Sequence, residues 1–317
     1  MWTHKNNAVL RDDEHSSLRR FIGSLAEAAN LLTVAGGTIN PDALTRLLTL
    51  ASESARALET AFLSIPLSYY RDCYGDQAVT ERRFVNLGCG VHWSHPAWTG
   101  IDAASGHAST LAHDFSRRET LPIASGTAKV VYSSHLLEHL TDSEVRHVLA
   151  EARRILEPGG ALRIVLPDAG LALAALRSGF RPFFTCVTDY APEDRGESIE
   201  QLFLSSVAYP RSAFSPDTPH LRITDEECRR LAGEMTETRL FQFLCAPLER
   251  ADVPSPGPHI NWFTGERLSE LLTEAGFHKI TASQYGKSAT TILRDTNFFD
   301  TTAPEVSLFV DAVKPGE

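Results

Sequence analysis

The chain has 317 residues, 43% of them hydrophobic and 22% charged, and a formal net charge of −10. This composition excludes a largely disordered chain, and the acidic balance gives no general attraction to phosphate backbones, so nucleic acid is not an expected partner. Five scattered cysteines (Cys73, Cys89, Cys186, Cys228 and Cys245) form no C-x-x-C pair, which argues against a disulfide scaffold or a cysteine zinc site and fits a reducing, cytoplasmic setting.

The length suggests two domains or one decorated domain. The polar start, MWTHKNNAVLRDDEHSS, lacks the apolar centre of a signal peptide, and no stretch approaches eighteen uncharged apolar residues, so no membrane partner is expected. Leu18, Phe21, Ile22, Leu25, Ala29 and Leu32 recur at helical spacing up to Gly36-Gly37. Asn40-Pro41 opens a second helix whose stripe runs from Leu44 to Ile65 and closes at Pro66. Together these predict an N-terminal helical hairpin within residues 1–80, suited to capping a core or pairing two subunits as a homodimer.

From residue 82 the pattern changes. Phe84–Leu87 reads as a strand running into Gly88-Cys89-Gly90, and Trp98–Asp102 as a strand ending in an acid. Lys129–Tyr132 is a third strand. Thr141-Asp-Ser-Glu144 reads as a capping box opening a helix through Leu156, stopped by Pro158-Gly159-Gly160, and Ala161–Leu166 is a strand ending at Pro167-Asp168. Strands alternating with helices predict a doubly wound, mostly parallel sheet. Residues 169–260 break that rhythm with many prolines and an acidic run from Asp189 to Glu200, and read as an inserted lid or substrate subdomain. Thr264 then caps a helix ended by Gly276, and Lys279–Ala282 and Val306–Val310 supply the last two strands. The expected division is 1–80, 81–168, 169–260 and 261–317.

The chemistry lies between Phe84 and Asp168. Glycines at a strand end let a ligand approach the backbone, because no Cβ intervenes. A carboxylate at the end of the next strand is an acceptor-only group suited to a ribose diol. In an open α/β sheet both features fall at the carboxyl ends of the strands, where ligands bind, so Gly88, Gly90 and Asp102 point to a nucleoside. A dinucleotide fingerprint would need glycine at position 93, where Trp93 stands, and an acid about 20 residues on. Here Asp102 follows Gly88 by 14 positions, which disfavours NAD.

The ordered set NLGCG, W-x-x-ID, HDF, LP, VYSSHLLEHL, RRILEPGG and LRIVLPD over residues 83–168 resembles the class I S-adenosylmethionine-dependent methyltransferases, with a weaker continuation over 261–314. The resemblance implies a Rossmann-like sheet with an antiparallel last strand and S-adenosylmethionine as cofactor. It implies Gly88, Cys89 and Gly90 along the methionine part, Asp102 on the ribose, Asp114 and Phe115 at the adenine, and Ser133 and Ser134 beneath the sulfonium. Two positions depart from the family pattern: Asn86 replaces an acid and His92 replaces a third glycine.

Methyl transfer needs chiefly alignment and exclusion of water, with a base where the nucleophile starts protonated. His135 is the best-placed candidate base, against the alternative of local packing or hydrogen bonding. His135-x-x-Glu138-His139 also matches H-x-x-E-H, which would set two histidines on one helical face as zinc ligands. It sits at a strand end with no evident third ligand, so no metal is expected, and Glu138 and His139 read as structural. Trp93, Trp98, Tyr69, Tyr70 and Tyr74 are open to packing or to the cofactor mouth. Phe180, Phe183, Phe184, Tyr190, Phe203 and Tyr209 are open to an acceptor pocket or the insert's own core. His220, His259, Asn261, Trp262, Tyr285, Lys287, Asn297 and Asp300 are further options for the cleft. The expected function is methyl transfer to a small-molecule acceptor through oxygen or nitrogen, such as a natural-product or sugar intermediate. A cofactor-binding but inactive relative acting as an interaction partner is the alternative.

Overall fold

The computed structural model describes residues 65–104, 106–186, 197–245 and 257–316, with positions 46, 49 and 248. Apart from Arg46, Thr49 and Ile65, the two N-terminal helices expected before Pro66, and Tyr190 with most of the acidic run, lie outside the described residues. The chain divides into two compact units, Met1–Tyr69 and Tyr70–Glu317. The second unit carries the sheet, and helix α1 (Leu67–Tyr74) leads into it.

After α1 comes the short helix α2 (Asp76–Thr80), then the strands β1 (Phe84–Leu87), β2 (Trp98–Asp102), β3 (Thr110–Ala112) and β4 (Ala128–Ser134). Helix α3 (Asp142–Ile155) leads into β5 (Leu156–Pro167). Helices α4 (Ala169–Ser178), α5 (Pro182–Thr185), α6 (Ile199–Val207), α7 (Asp225–Glu234) and α8 (Glu237–Cys245) occupy the middle segment. Helix α9 (Gly265–Glu274), β6 (His278–Ala282) and β7 (Ser307–Val313) complete the chain.

The seven strands form one sheet in the order β3-β2-β1-β4-β5-β7-β6. All neighbours are parallel except β7, which runs antiparallel to both β5 and β6. This is the doubly wound, mostly parallel sheet with an antiparallel last strand that the sequence predicts. The chain winds outward from β1 in one direction through β2 and β3, and in the other through β4 and β5. The carboxyl ends of β1 and β4 therefore flank the switch point where such sheets bind ligands. β1 is buried along all four residues, as a central parallel strand covered on both faces must be.

Local chemistry sets the element ends. Glu144 reaches back to accept the Thr141 amide at 2.8 Å, which orders the first turn of α3. That helix buries Val145, Val148, Leu149, Ala152 and Ile155 against Val85, Leu87, Ile101 and Val131 of the sheet. Asp168 caps α4 by accepting the Leu171 amide at 3.1 Å, so a full helix stands where the sequence shows only the start of an irregular region. β3 has no counterpart among the predicted strands; three residues are too short to carry a period. α3 ends at Ile155, so Leu156, expected in the helix, begins β5 instead, and Pro158–Gly160 lies inside that strand, whose register against β4 jumps from Ala128↔Leu156 to Val130↔Ala161.

The segment from Ala169 to Trp262 has a hydrophobic cluster of its own, built on Leu173, Phe203, Leu204, Leu231, Phe241 and Trp262. Phe241 and Trp262 stack with centroids 4.8 Å apart.

Candidate active site

Gly88 leaves β1 in the left-handed region (φ 71°), and its amide donates to the Ile101 carbonyl at 2.8 Å. A Cβ placed there would stand 2.9 Å from the Leu136 Cβ, so glycine is required by both conformation and space. Gly90 (φ 73°) has open space around it, and its amide donates to Asp102 Oδ2 at 2.8 Å. Asp102 Oδ1 accepts the Ala104 amide at 3.2 Å. The turn after β1 and the acid ending β2 are thus one hydrogen-bonded unit.

Gly88 and Asp102 line a cavity of about 800 Å³ that also takes in Asp114, Phe115, His135 and Leu136. Its far side comes from the middle segment: Phe183, Phe184, Ser206, Tyr209, His259 and Trp262. Of the predicted site residues, Gly88, Asp102, Asp114, Phe115 and His135 meet at this cavity. Cys89, Gly90, Ser133 and Ser134 do not line it. The Cys89 sulfur turns toward β2, where a Cβ on Gly100 would meet it at 2.7 Å; burial and then the Asp102 charge push its thiol up to about 11. Ser133 is buried within the sheet.

Asp114 is occupied by its own turn. Its Oδ1 accepts from the Ser116 amide at 3.0 Å and hydroxyl at 2.6 Å, and its Oδ2 accepts from Arg117 Nε at 3.1 Å. The bonds from Ser116 hold this carboxyl below its ordinary range.

His135 follows β4 in a left-handed conformation (φ 51°), the kind of backbone strain that gathers at functional turns. Both ring nitrogens are engaged. Nε2 lies 2.9 Å from the Ser307 hydroxyl and Nδ1 lies 3.1 Å from Glu138 Oε1. The local hydrogen-bonding reading of His135 therefore fits its surroundings better than an unencumbered base. The helical premise of H-x-x-E-H also fails. His135 stands outside the single 3₁₀ turn Leu137–His139, so His135 and His139 do not share a helical face.

Glu138 is buried, and its main-chain carbonyl accepts the amides of Ile260 at 2.9 Å and Asn261 at 3.1 Å. That contact brings the end of the middle segment onto the turn after β4. Asn261 reinforces it by donating to the Leu140 carbonyl at 2.9 Å, while Arg267 stacks over Trp262 at 4.2 Å and bonds Asp142 at 2.6 Å. His259 consequently arrives beside His139, with ring centroids 5.0 Å apart. Burial pushes the Glu138 carboxyl up, but the bond from His135 and the imidazoles of His135, His139 and His259 outweigh it and hold it down to about 2.

Other candidates lie elsewhere. Tyr70 and Tyr74 pack edge-on against Phe84, and Trp98 donates to the Tyr70 hydroxyl at 3.2 Å. Trp93 donates to the Phe298 carbonyl at 2.9 Å. Asp300 is fully buried on Arg163, while Tyr285, Lys287 and His220 are exposed. Leu136, Ser206 and Val306 line the cavity outside the predicted set, and nothing in their local sequence distinguishes them.

Residues 86–164 match the family described as "Methyltransferase domain". No curated protein matches the chain. Among solved structures, it is similar to an S-adenosylmethionine-dependent methyltransferase from Mesorhizobium loti (16% identity, 73% of this chain and 90% of that one, TM-score 0.36). It is also similar to a SAM-dependent methyltransferase from Methanosarcina mazei (15% identity, 74% and 92%, TM-score 0.38). A third is human N-acetylserotonin methyltransferase in complex with SAM (14% identity, 93% and 67%, TM-score 0.34). The domain match spans β1 to β5 of a sheet with this strand order, and the glycine turn and acid stand at its switch point, so this part of the chain is a methyltransferase domain.

Proposed function

We propose that the chain methylates a small-molecule acceptor held between the sheet's switch point and the middle segment. The observation that carries this reading is the Gly88–Gly90 turn bonded to Asp102 at the mouth of a cavity of about 800 Å³, within the range of small-molecule sites. The cofactor fits that cradle. Gly88 lines the cavity with no side chain of its own, its Cβ position being taken up by Leu136, and a carboxylate stands at the strand end to accept ribose hydroxyls. Bound there, S-adenosylmethionine supplies an electrophilic methyl group on a sulfonium.

The chain's own residues do the rest. Gly88 keeps the backbone open to the ligand, Asp102 fixes the sugar, and Phe115 offers an apolar wall on the β3 side. Phe183, Phe184, Tyr209 and Trp262 give the acceptor side an apolar, aromatic surface that excludes water and holds a compact molecule in line. In this reading residues 169–260 are the acceptor subdomain and residues 81–168 and 261–317 the cofactor core. The net charge of −10 and the enclosed aromatic wall favour a small acceptor over nucleic acid.

The test is release of adenosylhomocysteine by the purified chain across a panel of hydroxylated and amine-bearing small molecules. Turnover with a compact acceptor, reduced in Asp102→Ala, is the expected result. Cofactor uptake without turnover across the panel would instead favour an inactive, partner-binding relative.

A further inference from the structure

We propose that Glu138, His139 and His259 form a binding site for one divalent metal ion of the zinc class, set in the wall of the cavity. Two imidazoles and a carboxylate are the donor set of open, reactive zinc sites, and one ligand atom from each of these three residues lies within 4.8 Å of the others.

The surrounding bonds orient the donors as they are oriented in metal sites. His259 Nδ1 sits 2.6 Å from the Ser206 carbonyl, which fixes the hydrogen on that nitrogen and leaves the Nε2 lone pair as the ligand. His139 Nδ1 faces the Pro258 carbonyl at 3.3 Å, and its Nε2 faces Glu138 Oε1 at 4.0 Å. Backbone carbonyls behind two histidines are the usual outer support of metal-bound imidazole.

Glu138 provides the independent observation. Its side chain is 2% exposed; among the described residues Oε2 has no hydrogen-bond partner, and Oε1 faces only the imidazoles of His135 at 3.1 Å and His139 at 4.0 Å. A buried carboxylate so sparsely partnered is costly unless a positive charge shares its pocket. His135 touches Oε1 from outside the triad and orients the carboxylate.

Ligand atoms around one zinc at about 2.0–2.1 Å stand about 3.4 Å apart, so the three side chains close inward by less than about 1 Å each on binding. Three protein ligands leave a fourth position open, and all three residues line the cavity, so that position faces a water or the oxygen of a bound molecule. The site does not depend on methyl transfer, because metal uptake is measured with neither cofactor nor acceptor present.

The experiment takes the full chain, stripped with a chelator, and titrates it with Zn²⁺ by calorimetry and with Co²⁺ by visible absorption. One equivalent per chain is expected, with the intensified Co²⁺ bands of a low-coordinate nitrogen–oxygen site. Glu138→Gln and His259→Ala should each weaken binding by more than about tenfold. Should either fail to fold by circular dichroism, His259→Gln, which keeps a polar group near the Ser206 carbonyl, decides the matter. No uptake by the unaltered chain overturns the site, as does uptake at unchanged affinity in a folded variant, which places the ion elsewhere.

Discussion

Asp102 Oδ2 accepts the amide of Gly90 at 2.8 Å, so the acid that ends β2 holds the glycine turn that ends β1. Asp102→Ala should weaken uptake of S-adenosylmethionine by about 1.5–3 kcal/mol, since the sugar hydroxyls lose a charged acceptor. Calorimetric titration checks it, and unchanged affinity would remove Asp102 from the sugar.

The two glycines flanking Cys89 should differ. Both are left-handed, a conformation that costs an alanine about 1 kcal/mol. Only Gly88→Ala also drives a Cβ to within 2.9 Å of Leu136, whereas Gly90 has open space. In urea denaturation Gly88→Ala should lose more stability than Gly90→Ala, and it should also lose cofactor affinity. Equal losses would contradict the close approach to Leu136.

His95 predicts an acid sensitivity. It is buried among Tyr70, Trp98 and Phe299, and its Nδ1 accepts the Ala97 amide at 3.1 Å, a bond that protonation of Nδ1 would break. Burial, then repulsion from Arg82, lowers its pKa from 6.5 to about 3. Below pH 6.5 the unfolded chain takes up a proton that the folded chain refuses, so stability falls as the pH drops from 6.5 toward 3. The loss at pH 5 is on the order of 2 kcal/mol. Denaturation at about pH 7 and about pH 5 should show a smaller drop for His95→Gln than for the unaltered chain; equal drops would assign the sensitivity to other groups.

Arg163 is fully buried in β5, bonded to Asp300 through Nε at 2.9 Å and Nη2 at 2.6 Å, and to Asp311 through Nη1 at 3.2 Å. Removing one partner from such a group leaves an under-compensated charge. Asp300→Ala should therefore cost about 3 kcal/mol or more in urea denaturation. At a temperature where the variant stays folded, its cofactor affinity should match the unaltered chain, because neither Arg163 nor Asp300 lines the cavity.

The strands Phe84–Leu87, Trp98–Asp102 and Ala161–Leu166, the helix opened by Thr141, the glycine turn and the strand-end acid were legible in the sequence. Each is written by residues adjacent in the chain: an apolar run, a cap, a glycine where no side chain fits. Only the tertiary structure decided that Asp300 belongs to Arg163 and that His259 stands beside Glu138 and His139. Local periodicity has no bearing on which residues separated by over a hundred positions come together; that follows from packing a second hydrophobic cluster against the turn after β4, where the Glu138 carbonyl holds Ile260 and Asn261.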